Sequence, residues 1–157
     1  MKKNIMIATA AVLTGALTYG AYDYNETRQF VESEVECLTQ NIYHEARGES
    51  VQGQVAVAYV TVNRRDHDYF PNTVCDVVWD RGQFSWTNDG VSDDMNNEEA
   101  YRIARNIAEW VYDGKEEDPT DGALFYHADY ANPSWNQAME VSVVIDKHIF
   151  YNWDGRW

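Results

Sequence analysis

The residues best suited to acid–base chemistry lie at 43–49, where Glu45 ends an apolar helical pattern just before Gly48. Glu45 is at the border of the apolar stripe, and Gly48 is a natural helix stop. A carboxyl group half-buried at the end of a core helix can be kept protonated by a raised pKa, as a general acid requires. Glu45 is therefore the candidate catalytic acid. The stripe recurs at three- and four-residue spacing and predicts a helix over 29–47: Val31, Val35, Leu38, Ile42 and Ala46.

Two further long helices are predicted after this one. Ser50 is a suitable N-cap for a helix reaching Arg64, and its run 55–60 is apolar on nearly every side, as in a central buried helix. The next long helix is predicted to begin after Asn96 or Asn97 and to end before Gly114. Its predicted apolar face consists of Ile103, Ile107, Trp110 and Val111.

Shorter elements complete the predicted architecture. Residues 22–28 are polar and predict a connector before the first helix, and a short helix is predicted near 73–78. β-Prone runs follow at 124–128, 141–145 and 148–153. Helices first and a small antiparallel sheet later predict an α+β domain.

An ordered series of sequence blocks resembles the SleB-like cell wall hydrolases, the catalytic modules of spore-cortex-lytic enzymes and of bacterial and phage peptidoglycan hydrolases. The resemblance covers residues 35–151 and implies a helix-rich, lysozyme-like fold. Its first block is CLTQNIYHEARGE at 37–49, and later blocks lie at 53–58, 62–64, 70–71, 74–75, 77–78, 83–86, 123–127 and 147–151.

The resemblance implies cleavage of the β-1,4 bond between N-acetylmuramic acid and N-acetylglucosamine by a lytic transglycosylase route. Glu45 would act first as acid and then as base, with no metal and no other cofactor. Cys37 and Cys75 lie at motif positions and would form a disulfide in an exported protein, whereas two reduced thiols would be expected in the cytosol.

Five other residues are predicted to contact the sugar. Gln83, Phe84 and Ser85 would offer an amide, an aromatic face and a hydroxyl from a loop, although Phe84 is equally suited to the core. Tyr126 and His127 lie in a predicted strand, and Tyr126 is placed to hydrogen-bond either the acetamido group or Glu45.

Three rival functions remain open from the residues. A hydrolytic muramidase needs a second carboxylate besides Glu45. Glu49 is one candidate, although its better interpretation is structural, either in initiating the next helix or in pairing with Arg47. A zinc amidase would use His44, His127 and His148, but no His-Glu-x-x-His motif is present. A non-catalytic wall-binding protein is the third, and the intact block around Glu45 argues against it. The candidates for the second carboxylate are Glu49, Asp89, Asp93 and Asp94.

Charge and the N-terminal residues predict the partners and the compartment. The chain has a formal net charge of -14, which disfavours nucleic-acid binding. Lys2 and Lys3 precede an uncharged span at 5–21, which predicts an export signal at 1–22 and a catalytic domain at 23–157. Cleavage, release and retention as an inner-membrane anchor all remain open. We expect a monomer acting on peptidoglycan glycan strands in a periplasmic or other extracytoplasmic space.

Overall fold

The computed structural model describes residues 6–153 and 155, with side chains from residue 23 onward. The chain divides into two compact units, 1–33 and 34–157. Helix α1 (Met6–Ala46) is continuous through residues 22–28, so the predicted connector is wrong. Residues 23–30 contain no glycine or proline to stop a helix, and their polarity determines exposure rather than conformation. Across residues 6–153, no helix combines the length and apolar character of a membrane span.

The C-terminal part of α1 is a core helix, as predicted. Its buried residues include Val35, Leu38, Ile42 and Ala46. The buried Glu34 accepts hydrogen bonds from the backbone N–H groups of Val74 (2.6 Å) and Cys75 (3.1 Å), at the start of helix α3 (Val74–Trp79).

The predicted disulfide between Cys37 and Cys75 is present. The two Cα atoms lie 5.2 Å apart. Two links therefore join α1 to α3. One is the Cys37–Cys75 disulfide, and the other is the Glu34 carboxylate, which accepts hydrogen bonds from the first backbone N–H groups of α3.

Helix α2 (Val51–Arg65) is the predicted central helix, and its residues 53–62 are all buried. Ser50 is its N-cap and accepts from the N–H of Gly53 at 3.2 Å. Asp146 accepts in turn from the Ser50 backbone N–H (2.9 Å) and hydroxyl (2.6 Å). A side chain from the far end of the sequence therefore anchors the start of α2.

Helix α4 (Glu98–Tyr112) begins after Asn97, one of the two predicted caps. Its predicted apolar face is wrong at Trp110, which is 47% exposed, and Ile103 is only half-buried. The stripe that packs inward has the spacing i, i+3, i+4, i+7, which leaves position 110 outside it. The buried residues are Ala104, Ile107, Ala108 and Val111.

The predicted small sheet consists of strands β1 (Phe125–Ala128), β2 (Glu140–Ile145) and β3 (His148–Asn152). All pairings are antiparallel and the order is β1-β3-β2. Phe150 of β3 belongs to a buried cluster that includes Ala46 at the end of α1 and residues of α2, and Tyr126 packs against this cluster. The sheet therefore brings Tyr126 of β1 close to the last turn of α1. The prediction of an α+β fold rich in helix is confirmed.

Candidate active site

The last turn of α1 faces an open cleft of about 820 Å³, formed entirely by residues of the second unit. The predicted catalytic acid and all five residues predicted to contact the sugar contribute to its lining. These residues are Glu45, Gln83, Phe84, Ser85, Tyr126 and His127.

Glu45 is half-buried in this cleft. The hydroxyl of Tyr126 donates a hydrogen bond to its Oε2 atom at 2.9 Å. Burial raises the pKa of Glu45 above its ordinary value, while the Tyr126 hydrogen bond and the charge of Arg64 oppose that rise. Glu45 thus has a raised proton affinity together with two neighbours that favour its ionised form, which suits a group that first gives and then takes a proton.

Tyr126 is held on β1 by contacts of its ring. The ring centroid lies 5.2 Å from that of His148 and 5.6 Å from that of Phe150. Burial and the neighbouring Glu45 carboxylate raise the pKa of Tyr126 well above its usual range, so the phenol stays protonated and remains a donor. Of the two partners predicted for Tyr126, the structure contains the hydrogen bond to Glu45.

Arg64, in the last turn of α2, also lines the cleft and was not identified as a site residue from the sequence. It is 5% exposed, and its Nε donates to the carbonyl oxygen of Leu124 at 2.8 Å. Burial lowers the pKa of Arg64 to about 10, so it remains charged at neutral pH. A signal was available, because position 64 lies seven and four residues after the buried Val57 and Val60, on the same helix face.

The 83–85 block has mixed character. Phe84 is 2% exposed and its ring centroid lies 5.2 Å from the Arg64 guanidinium, which supports its structural reading. Ser85 is exposed, and the half-buried Gln83 donates from Nε2 to Asp80 at 3.2 Å. Ser85 and Gln83 are therefore the polar residues of this block that line this wall of the cleft.

A buried hydrogen-bond chain fixes the wall to the helices. Trp86 donates from Nε1 to Oδ1 of Asn41 at 3.0 Å, and Asn41 donates from Nδ2 to Thr61 Oγ1 at 3.0 Å. The Trp86 ring stacks on His44, with centroids 4.5 Å apart. Asn41 was not predicted, because a polar residue on a helix is ordinarily assigned to the surface.

His127 is oriented by three polar contacts, one of which is from Nδ2 of Asn136 to its Nε2 at 3.4 Å. Its Nδ1 lies 2.8 Å from the carbonyl oxygen of Ala128, and its Nε2 lies 2.8 Å from the hydroxyl of Tyr151. Since a carbonyl oxygen only accepts, Nδ1 carries the proton and Nε2 accepts from Tyr151. His127 is therefore a fixed part of the wall, and its predicted contact with sugar stays a prediction.

The candidate second carboxylates divide into two groups. Glu49 is absent from the cleft lining. Its side chain is 12% exposed and lies beside Lys147, with an Oε1–Nζ distance of 3.9 Å. It therefore belongs with the β2–β3 turn, whereas the sequence predicts pairing with Arg47 or initiation of α2. Asp89, Asp93 and Asp94 are exposed and line the cleft.

The three histidines of the zinc alternative also line the cleft. Within the described part of the chain, no three His, Cys, Asp or Glu side chains are grouped so that they could hold a metal ion.

A half-buried glutamate at the end of α1 accepts a hydrogen bond from a tyrosine of the three-stranded sheet, and both line one cleft of this α+β protein. This pair makes the cleft a candidate acid–base site. The chain belongs to the cell wall hydrolase family, whose sequence profile matches residues 48–151. Glu45 lies three positions before this match, so its assignment rests on the motif at 37–49 and on the cleft geometry.

Relatives of known name are spore cortex-lytic enzymes. That of Oceanobacillus iheyensis is 31% identical over 139 residues, which cover 87% of this chain and 48% of the relative. That of Bacillus subtilis is 35% identical over 123 residues, covering 77% of this chain and 38% of the relative. The chain thus spans about half or less of the length of these relatives.

Two solved structures share the fold. One is the catalytic domain of the Bacillus cereus SleB protein, with 33% identity, a TM-score of 0.62, and coverage of 77% of this chain and 91% of that domain. The other is the catalytic domain of the germination-specific lytic transglycosylase SleB from Bacillus anthracis. It also has 33% identity and a TM-score of 0.62, with coverage of 76% of this chain and 93% of that domain.

Proposed function

We propose that this protein cleaves the β-1,4 bond between N-acetylmuramic acid and N-acetylglucosamine in peptidoglycan, as a lytic transglycosylase with Glu45 as its acid and base. The observation that carries the proposal is the half-buried Glu45 carboxyl in the cleft, with its raised pKa and its hydrogen bond from Tyr126. Membership of the cell wall hydrolase family and the 33% identity to a lytic transglycosylase domain support the choice of substrate and reaction.

The proposed reaction has two proton transfers. Protonated Glu45 gives its proton to the glycosidic oxygen as the bond from that oxygen to C1 of the muramic acid breaks. The resulting carboxylate then removes the proton from the C6 hydroxyl of the same sugar, and the C6 oxygen bonds to C1. A 1,6-anhydro ring forms, no water is consumed, and Glu45 regains its proton.

The position of Glu49 favours a single-carboxylate route. A hydrolytic glycosidase generally requires a second carboxyl group across the bond. Glu49 is the carboxylate nearest to Glu45 along the helix end, yet it faces the β2–β3 turn and contributes nothing to the cleft lining.

A hydrolytic muramidase is the second candidate, because Asp89, Asp93 and Asp94 line the same cleft as Glu45. Any of these aspartates would have to activate water on the opposite side of the sugar or attack C1 itself. The two reactions differ in their products by one water molecule.

Mass spectrometry of the soluble fragments released from purified peptidoglycan distinguishes the candidates. Fragments ending in 1,6-anhydro-muramic acid are expected with the full chain and should be missing with Glu45→Gln. Reducing ends heavier by one water would replace the proposal with a muramidase. Free stem peptides, formed only without EDTA, would indicate a zinc amidase.

We also propose that the protein acts outside the cytoplasm as a monomer, delivered by residues 1–22 and associated with the inner membrane through residues 5–21 if that span is retained. The Cys37–Cys75 disulfide supports an oxidising compartment. Fractionation of expressing cells and light scattering of the purified chain test these two statements.

A further inference from the structure

A buried positive charge contributes to the lining of the cleft that contains the proposed acid. Arg64 is 5% exposed, and its guanidinium carbon lies 5.2–5.5 Å from the ring centroids of Phe84, Phe70 and Phe125. Its Nη1 atom is buried without a hydrogen-bond partner. Burying a cation among apolar rings is costly, and most buried arginines are compensated by a hydrogen-bonded carboxylate.

The structural contacts of Arg64 explain only part of its position. The Nε hydrogen bond to the Leu124 carbonyl oxygen fixes the chain just before β1, and the three rings provide cation–π contacts. Neither contact requires Arg64 to line the cleft, and neither gives Nη1 a hydrogen-bond partner. The feature left to explain is a buried charge that contributes to the lining of the same cleft as Glu45.

The other charged and titratable groups around Glu45 come from every element of the cleft. Helix α1 supplies His44 and Arg47, the loop after α3 supplies three aspartates, and the strands supply Tyr126, His127 and His148. The hydrogen bond from Tyr126 and the charge of Arg64 both lower the pKa of Glu45, and the charge of Glu45 raises the pKa of Arg64 in return. Asp80 also acts on Arg64, from outside the cleft lining.

We propose that Arg64 is a positioning residue. Its buried charge stabilises the carboxylate form of Glu45 after proton donation, so that this carboxylate is available to act as the base. The role in turnover rests on the proposed function, but the coupling between the two side chains is a property of the free protein. In a low-dielectric site, the neutral acid gains little from a nearby cation, whereas the carboxylate gains substantially. Arg64 would therefore lower the free energy of the state between the two proton transfers.

The coupling is measured by ¹³C NMR titration of glutamate side-chain carboxyls in the full chain, with Glu45→Gln used to assign the Glu45 signal. Arg64→Met should raise the pKa of Glu45 by roughly one unit, the low end of the effect of a neighbouring opposite charge. Arg64→Lys retains the charge and is the matched control, so it should leave this pKa close to the wild-type value. An unchanged pKa in Arg64→Met would overturn the proposal.

A second measurement covers the case in which Arg64→Met fails to fold. In the wild-type chain, the ¹⁵N signal of the Arg64 Nε–H group should shift with pH at the pKa of Glu45, and this step should vanish in Glu45→Gln. Absence of the step in the wild-type chain would also overturn the proposal.

Kinetics separate this role from direct substrate binding. Arg64→Met should lower kcat with little change in KM, and Arg64→Lys should recover most of the loss. A raised KM with an unchanged Glu45 titration would make Arg64 a substrate ligand instead and overturn the proposal. If the titrations behave as expected but no anhydro ends are released, the coupling stands and the proposed reaction fails.

Discussion

Replacing Tyr126 by Phe tests the proposed acid–base site most directly, because it removes one hydrogen bond and keeps the ring. The lost bond is the 2.9 Å contact from the Tyr126 hydroxyl to Oε2 of Glu45. The ring contacts with His148 and Phe150 are preserved in the variant, so the strand should pack as before.

The magnitude follows from the difference between the two protonation states. A hydrogen bond to a charged group contributes about 1.5–3 kcal/mol and one between neutral groups about 0.5–1.5 kcal/mol. The carboxylate therefore loses more than the acid by roughly 1–1.5 kcal/mol, which corresponds to about one pKa unit. Since the Tyr126 bond lowers the pKa of Glu45, its removal raises that pKa further above the ordinary value.

The assay is the pH dependence of kcat/KM for release of soluble fragments from peptidoglycan. The rate falls at high pH as Glu45 loses its proton, so Tyr126→Phe should move this basic limb upward by about one pH unit. The rate below the limb should fall by up to about tenfold, since the carboxylate formed on proton donation is less stable. Tyr59→Phe is the matched control, because the Tyr59 hydroxyl donates to the backbone oxygen of Glu116 and lies outside the cleft.

An unchanged basic limb in Tyr126→Phe would refute the reasoning, as would an equal shift in Tyr59→Phe. The first result would mean that Glu45 is not the group that titrates in the reaction. The second would mean that the shift arises from a general loss of stability.

Three further outcomes are expected. Glu45→Gln should abolish fragment release. Burial raises the pKa of Glu45 in the folded protein above the usual 4.5, so the folded state loses stability as the pH rises through that folded pKa and the carboxyl ionises. Gln stays neutral, so this variant should have a higher melting temperature than the wild type at pH 8 but not at pH 4. A melting temperature unaffected at both pH values would contradict this. Replacing Cys37 and Cys75 together by Ser should reduce the free energy of unfolding by about 4 kcal/mol, the chain-entropy value for a separation of 38 residues, measured by urea titration without reductant. Glu49→Gln should retain most of the activity in the fragment-release assay, because its carboxylate serves the β2–β3 turn; inactivity with a normal melting curve would revive the muramidase.

The elements that could be predicted are those with strong local patterns. The apolar stripe of α1, the cap at Ser50 and the β-prone runs each depend on residues close in sequence, and each was found near its predicted place. The same local logic failed at the start of α1, since a polar composition does not end a helix that lacks glycine and proline. It also assigned Trp110 to the core, because a hydrophobic residue at the edge of a stripe can point either way.

The residues that escaped prediction, in the cleft and behind it, are polar side chains buried through distant partners. Glu34 is satisfied by backbone groups forty residues later, and Asn41 by Thr61 and Trp86. Arg64 depends on a carbonyl oxygen sixty residues away. No local pattern identifies the partners in such pairs. A polar residue within an apolar stripe does indicate, however, that its side chain is buried and needs a partner from elsewhere in the chain.

The hydrogen bond between Tyr126 and Glu45 joins residues 81 positions apart, and the hydrogen bond between Ser50 and Asp146 joins residues 96 positions apart. Contacts of such long sequence separation are among the slowest to form during folding. A folding intermediate with its helices in place but its sheet unformed would contain Glu45 without its hydrogen bond from Tyr126. Full catalytic competence should therefore appear late in refolding, after most helical circular dichroism has recovered, so activity reports completion of the fold rather than collapse of the chain.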